Sequence, residues 1–298
     1  MYTVDNAIIM AAGVSSRFAP LSYESPKALT EVRGEILIER QIRQLHEAGI
    51  HDVYVIVGYM AEQFEYLQEK LGVHLIKNDA YMIRNNHSSI FAAKDVIRNT
   101  YICSADNYFL QNPFEETVEE SYYAAVYAAG ETREWCMDTD SNGYITHVEV
   151  GGKDAWFMLG HAFWSEAFSA QFLRFLEDAY DLPETKDLFW ENIFMNHLDA
   201  LKMKMRKYPQ EYIYEFDSID ELRMFDQSYV TDTRSRILKH IAKELGGTEA
   251  EIVKIKPVRK TDMTVAGIQF VFCGEQYTYD YFDGVSVLYY NEGTKFVQ

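Results

Sequence analysis

Apolar positions recur along this chain with two different periods. Asp5 to Met10 (DNAIIM) is a short apolar run cut off by small and polar residues, and it predicts a buried strand. Ile38, Ile42 and Leu45 return at helical spacing, and Gly49 stands where a C-terminal cap belongs. Val53–Val57 (VYVIV) predicts the next strand, and Phe64, Leu67 and Leu71 a second helix closed by Gly72. Tyr101–Ala105 (YICSA) predicts a third strand ending at Asp106. Strands and helices alternating through short connections call for a parallel sheet wrapped by helices. Ligands of such sheets bind beyond the carboxyl ends of the strands.

The pattern changes in the middle of the chain. Residues 122–164 read as strands (AAVYAA, WCMD, ITHVEV, AWFMLGHAFW) with a turn at Asp140–Gly143, which predicts a mixed or antiparallel extension of the sheet. Phe168, Phe172, Phe175 and Leu176 give an amphipathic helix, and a further helical stretch is expected from Lys186 to Leu198. After the strand-like YIYEF, Ser218 and Glu221 have the spacing of a capping box. Ile237, Ile241 and Leu245 mark one more helix, broken at Gly246-Gly247; EIVKIKPV follows, then a hairpin turning at Gly274. The expected fold class is therefore α/β: a Rossmann-like, mixed, mostly parallel sheet flanked by helices, in a domain of residues 1–229. A small α+β C-terminal domain of residues 230–298 follows. About 70 residues make a small core, so this tail is expected to pack on the main domain or to form a homodimer.

Charge narrows the partners. With 46 acidic and 28 basic residues among 298, the net charge is −18, which argues against nucleic acid or an anionic membrane surface. No apolar run reaches the roughly 18 residues of a membrane helix, and residues 1–10 lack the pattern of a signal peptide. Cys103, Cys136 and Cys273 are odd in number and far apart, as in a reducing compartment, so a cytoplasmic protein is expected. Aromatic residues make up 15% of the chain, enough for some to face a ligand while most fill the core.

The segment Ala11-Ala12-Gly13-Val14-Ser15-Ser16-Arg17-Phe18 directly follows the first strand, with Pro20, Pro26 and Lys27 downstream. Small residues let backbone N–H groups approach phosphate oxygens, and Arg17 and Lys27 would neutralise a polyphosphate. The same pattern also fits a plain strand-to-helix connection, and it matches neither GxxxxGK[ST] nor GxGxxG. Asp106, at the end of a buried strand, fits either a metal ligand or a turn aspartate. Asp217 fits either a ligand or the start of a capping box.

The stretch AAGVSSRFAPLSYESPKAL resembles the signature loop of the sugar-nucleotidyltransferase-like family, with Ser15 where that family usually has glycine. That resemblance implies the nucleotide-diphospho-sugar transferase fold and a Mg²⁺ cofactor. Leu37 to Tyr59 is similar to the family's second strand–helix unit, with Gly58 and Tyr59 near the base. Ser104 to Tyr108 resembles its metal-binding strand end, and Glu215 to Ser218 its second metal site. Within the family, Tyr81 to Ser89 (YMIRNNHSS), Glu134-Trp135, Lys186 to Asn192 (KDLFWEN) and EFDSIDELR resemble the CTP:phosphocholine cytidylyltransferases, over about residues 4–229. The resemblance implies CTP and phosphocholine as substrates. It makes Lys27, Arg17 and Asp106 catalytic, and Asp106 and Asp217 metal ligands. Ala11, Ala12, Gly13, Gly58, Tyr59, Asn86, Ser88 and Ala105 would bind the nucleotide. Tyr81, Trp135, Asp187, Trp190 and Glu191, with Phe189, would bind choline. A quaternary ammonium donates no hydrogen bond and is held by aromatic faces and a carboxylate; by spacing alone, Trp190 and Phe194 equally form the apolar stripe of an ordinary helix. A nucleotidyltransferase for a sugar-1-phosphate or another phospho-alcohol, or an inactive nucleotide- or choline-binding sensor, would share these motifs. The tail, with Met263-Thr264 and the hairpin after it, resembles the opening β-elements of choline kinase-like proteins without their catalytic lobe, and is expected to be a non-catalytic remnant.

Overall fold

A computed structural model describes residues 1–259, 265–282 and 285–290, the side chains of 259, 265, 266, 281, 282 and 285–290 excepted. Met263 and Thr264 of the kinase-like resemblance lie outside the described residues. Among the described residues, no helix is long and apolar enough to cross a membrane.

Contacts divide the chain into two units. The first is Met1–Gly13 with Leu37–Glu215, and the second is Val14–Ile36 with Phe216–Gln298. This division does not follow a single cut after residue 229. The helix Ile219–Phe225 contributes Ile219 to an apolar cluster that also holds Ala19, Ile237, Leu238 and Ile241, so residues 14–36 and 216–229 group with the tail.

The first unit is built on a seven-stranded sheet. Its spatial order is Lys204–Tyr208, Tyr122–Thr139, Ile145–Trp164, Thr100–Ser104, Asn6–Ala11, Val53–Val57 and His74–Lys77. The strands Asn6–Ala11, Val53–Val57 and Thr100–Ser104 pair in parallel, as the short apolar runs predict, and His74–Lys77, which the pattern does not mark, adds a fourth parallel strand beside Val53–Val57. Ile145–Trp164 runs antiparallel to both of its neighbours. The four short runs of the sequence pattern are two long strands, Tyr122–Thr139 and Ile145–Trp164. Repeated register shifts bend this pair, which is why its apolar alternation looks interrupted. The helix Leu37–Glu47 buries Ile38, Ile42 and Leu45 as its spacing predicts. The predicted second helix is a 3₁₀ turn, Ala61–Phe64, followed by Tyr66–Leu71. The helical stretch expected from Lys186 to Leu198 shrinks to Trp190–Met195, because Phe189 is extended (φ −76°, ψ 158°) and starts the helix.

In the second unit the helix Arg236–Leu245 packs Ile237, Leu238 and Ile241 against Ile252, Ile268, Phe270 and Phe272 of a four-stranded antiparallel sheet. The hairpin between Val265–Phe272 and Glu275–Phe282 turns on Cys273 and Gly274, both at positive φ, as a tight two-residue connection requires.

Candidate active site

In the first unit, Ala11 ends the central strand Asn6–Ala11, and the backbone continues through Ala12 and Gly13. The Ala12 carbonyl accepts the Tyr59 N–H at 3.1 Å, which ties this turn to the end of the neighbouring strand. Gly58 is where the fit is tightest. A Cβ there would lie 2.7 Å from Tyr81 Cγ and 2.9 Å from the Ala12 carbonyl oxygen. Tyr81 therefore packs against the Ala12–Gly58–Tyr59 turn. Burial raises the affinity of the half-enclosed Tyr59 hydroxyl for its proton, and Tyr81 and Glu62 add to this. Ala105 donates its N–H to the Met10 carbonyl at 3.2 Å, which holds the strand end that leads to Asp106.

The loop at Asn85–His87 and the segment Lys186–Glu191 are joined by a run of polar contacts. Asn85 N–H donates to the Lys186 carbonyl at 2.8 Å and Asn85 Nδ2 to the Asp187 carbonyl at 3.1 Å. His87 Nδ1 lies 2.6 Å from the Leu188 carbonyl. The Trp190 N–H donates to Asn86 Oδ1 at 2.8 Å, and Asn86 Nδ2 donates to the Glu191 carboxylate at 3.2 Å. Ser88 donates its hydroxyl to the Asn85 carbonyl at 2.8 Å and accepts from Asn78 Nδ2 at 2.9 Å. Asn86 and Ser88, expected at the nucleotide, thus have their side chains engaged by protein partners that fix this loop. Asp187 meets Asn85 through its backbone, while its side chain is exposed.

Glu191 is the chemically distinctive group. The residue is partly exposed, yet its carboxyl group is enclosed. Desolvation pushes its pKa up to about 7, against the opposing hydrogen bonds from its own backbone, Asn86 and Tyr123. The Tyr123 hydroxyl donates to it at 3.1 Å. Burial first, then Glu191, and then the more distant Glu215 and Asp106, hold the Tyr123 phenol well above its ordinary pKa. Glu215 stands opposite Asn107, the neighbour of Asp106, in a short antiparallel pair. Asn85 and Glu215 lie inside the segments YMIRNNHSS and EFDS that carry the family resemblance, whereas Tyr123 and Asn78 sit in runs whose polar spacing carries no site pattern.

Trp190 is corrected to a core residue. It is 1% exposed, stacks on Tyr123 at 5.5 Å and meets Trp164 edge-on at 5.0 Å, so neighbouring rings cover its faces. The apolar-stripe alternative holds for it and for Phe194, which is fully buried. Trp135 and the exposed Phe189 form a separate edge-to-face pair at 5.6 Å.

In the second unit, Asp217 joins the two basic residues of the signature segment. Its Oδ2 is 2.6 Å from the Arg17 guanidinium, and its Oδ1 is 3.3 Å from Lys27 Nζ. Lys27 is buried, and its ammonium lies 5.7 Å from the centre of the Phe18 ring. Asp217 is held by the capping box of the helix Ile219–Phe225, since its N–H donates to Glu221 at 2.6 Å. Ser15 has φ 51° and ψ 46°, the left-handed conformation that favours glycine. Among the described residues, no group of three or more His, Cys, Asp or Glu side chains forms a ready metal cage. Mg²⁺ prefers one or two carboxylates completed by substrate phosphates, so a site of this kind needs no preformed cage.

A mostly parallel sheet flanked by helices, with a small-residue turn and an aspartate at the carboxyl ends of two adjacent strands, is the framework of a nucleotide-handling α/β enzyme. The model of the MobA-like NTP transferase domain matches residues 7–180, and the chain belongs to that family and is a nucleotidyltransferase. It is 36% identical over 221 residues to the choline-phosphate cytidylyltransferase of Streptococcus pneumoniae, covering 74% of this chain and 96% of that protein. It is 38% identical over 234 residues to the 2-aminoethylphosphonate cytidylyltransferase of Lancefieldella rimae, covering 77% and 95%. The solved structure of the Streptococcus pneumoniae CTP:phosphocholine cytidylyltransferase superposes with a TM-score of 0.73 at 36% identity, over 76% of this chain and 99% of that one.

Proposed function

We propose that this enzyme transfers the cytidylyl group of CTP to phosphocholine, giving CDP-choline and pyrophosphate. The observation that carries this reading is the enclosed Glu191 carboxylate, held by Asn86 and Tyr123. An anion in an aromatic-rich setting attracts a cationic head group that cannot donate a hydrogen bond. Trp135 and Phe189 offer it ring surface.

In this reading a phosphocholine oxygen attacks the α-phosphorus in line with the departing pyrophosphate. The nucleophile is already ionised and needs no general base, so catalysis rests on positioning and charge neutralisation. Lys27 steadies the α-phosphate and Arg17 the β- and γ-phosphates. Ala11, Ala12, Gly13, Gly58, Tyr59 and Ala105 form the bed for the cytidine and its phosphates. Asp106 and Asp217 would hold Mg²⁺, which neutralises phosphate charge when bound. The three cysteines are free, in keeping with a cytoplasmic enzyme.

A second reading, transfer to 2-aminoethylphosphonate, is favoured by the 38% identity to an enzyme of that name. That substrate also pairs a cation with a phosphorus acid, but its primary ammonium donates hydrogen bonds. Steady-state turnover with each nucleoside triphosphate against phosphocholine, 2-aminoethylphosphonate and a sugar-1-phosphate separates the readings. The highest kcat/KM is expected for CTP with phosphocholine; preference for the sugar phosphate would refute the proposal.

A further inference from the structure

The signature segment is held by the C-terminal part of its own unit. The Glu24 carboxylate, three residues before Lys27, sits on the N-terminus of the ten-residue helix Arg236–Leu245. Its Oε1 accepts from the Ser235 hydroxyl at 2.5 Å and from the Ile237 N–H at 3.3 Å. Its Oε2 accepts from the Arg236 N–H at 2.8 Å and from Arg236 Nε at 3.2 Å. A carboxylate at this end of a helix satisfies orphan donors and opposes the positive end of the helix dipole. Glu24 is largely buried there (14% exposed), so its bonds are poorly replaced by water.

Further ties run from the same segment to the same region. Ala19 belongs to the apolar cluster of Ile237, Leu238, Ile241, Ile268 and Phe270, and Leu21 and Tyr23 pack against it. The Tyr23 hydroxyl donates to the Gly267 carbonyl at 3.0 Å. All these anchors fall between Arg17 and Lys27. The enzymes of Streptococcus pneumoniae and Lancefieldella rimae use nearly their whole length to match about three quarters of this chain. The family resemblance runs to about residue 229, so the helix that grips Glu24 and the sheet that meets Ala19 and Tyr23 lie in the remaining quarter.

We propose that the helix Arg236–Leu245, through its cap on Glu24, is a positioning element for Arg17 and Lys27, and that Glu24 is the residue that transmits it. This rests on the reading of Arg17 and Lys27 as triphosphate ligands. Glu24 touches no substrate; it sets the path of the backbone that presents the two cations to Asp217. The C-terminal segment then has a role in CTP binding without any kinase chemistry of its own.

The test is steady-state kinetics on full-length Glu24→Gln and Glu24→Asp, with thermal unfolding of each. Losing the charge-assisted bonds to the helix end is expected to raise KM for CTP on the order of tenfold. KM for phosphocholine should stay unchanged, and Glu24→Asp should recover part of the loss. A Glu24→Gln enzyme of lower stability but unaltered KM for CTP would reduce Glu24 to a purely structural cap and overturn the proposal. Should Glu24→Gln fail to fold, Ser235→Ala removes one donor to Glu24 without altering residues 14–36. A higher KM for CTP in that variant supports the proposal, and an unaltered one overturns it. Lys27→Ala, assayed in parallel, tests the foundation separately: undiminished kcat/KM for CTP would remove the triphosphate reading itself.

Discussion

The side-chain amide of Asn86 makes two different contacts with one partner segment, accepting the Trp190 N–H through Oδ1 and donating to the Glu191 carboxylate through Nδ2. One residue of the asparagine pair thus fixes both the start of the helix Trp190–Met195 and the orientation of its first acid.

Replacing Asn86 with Ala leaves an amide N–H and an enclosed carboxylate each short of a partner. Such a loss costs about 1–3 kcal/mol. We expect denaturant unfolding of Asn86→Ala to show a drop of that size, and KM for phosphocholine to rise more than KM for CTP. Equal rises in both would place Asn86 at the nucleotide after all.

Glu191 gives a pH signature with two opposite signs. Its folded pKa is raised from 4.5 to about 7, mainly by desolvation. Between those values the folded protein keeps a proton that the unfolded chain releases, so stability falls as pH rises through that window. Attraction for a cation needs the ionised form, so kcat/KM for phosphocholine climbs as pH rises through about 7. Because a phosphate monoester also titrates near 6, the quantity to follow is the ratio of wild type to Glu191→Gln across pH. A flat ratio would exclude Glu191 from head-group binding.

Gly58→Ala should be disproportionately harmful for one methyl group. The ring of Tyr81 and the backbone carbonyl of Ala12 already occupy the required space, and a carbonyl cannot rotate aside as a long side chain can. Overpacking of this kind costs about 1–3 kcal/mol. The shifted turn should weaken CTP binding, read by calorimetric titration; Gly58→Ala with wild-type affinity would separate this turn from the nucleotide.

Asp217→Asn keeps the shape of the side chain but removes the charge shared by Arg17 and Lys27. A fall in kcat of about 10²–10³ is expected, the usual scale for one electrostatic group in a polar active site. Titrating Mg²⁺ should show a higher half-saturating concentration. An unchanged metal titration would confine Asp217 to organising the two cations.

The elements that position the site were legible wherever one face is consistently apolar. The runs DNAIIM, VYVIV and YICSA have neighbours on both sides in the sheet, and their continuous hydrophobicity follows from that. The strand Lys204–Tyr208 lies at the sheet edge with Tyr122–Thr139 as its neighbouring strand, and its KMRKY sequence gives no such pattern. The same reasoning separates the site residues. Asp217 beside Ser218 and Glu221 announces its capping box locally. By contrast, the bond between Tyr123 and Glu191 spans 68 positions, and nothing near either residue anticipates it. Trp190 was ambiguous for a physical reason, since a buried helix face and an aromatic cage use the same residues at the same spacing. Only the neighbouring rings of Tyr123 and Trp164 distinguish them.

The grouping of residues 14–36 with 216–298 means that the chain passes between the two units three times. The tail is consequently not a detachable cassette. A gene fusion that moved residues 230–298 onto a shorter relative would deliver a helix without its Glu24 cap and an apolar cluster without Ala19, Leu21 and Tyr23. For such a graft to take, the recipient's own first forty residues would have to be rewritten to match. The two ends of this sequence are therefore expected to diversify together.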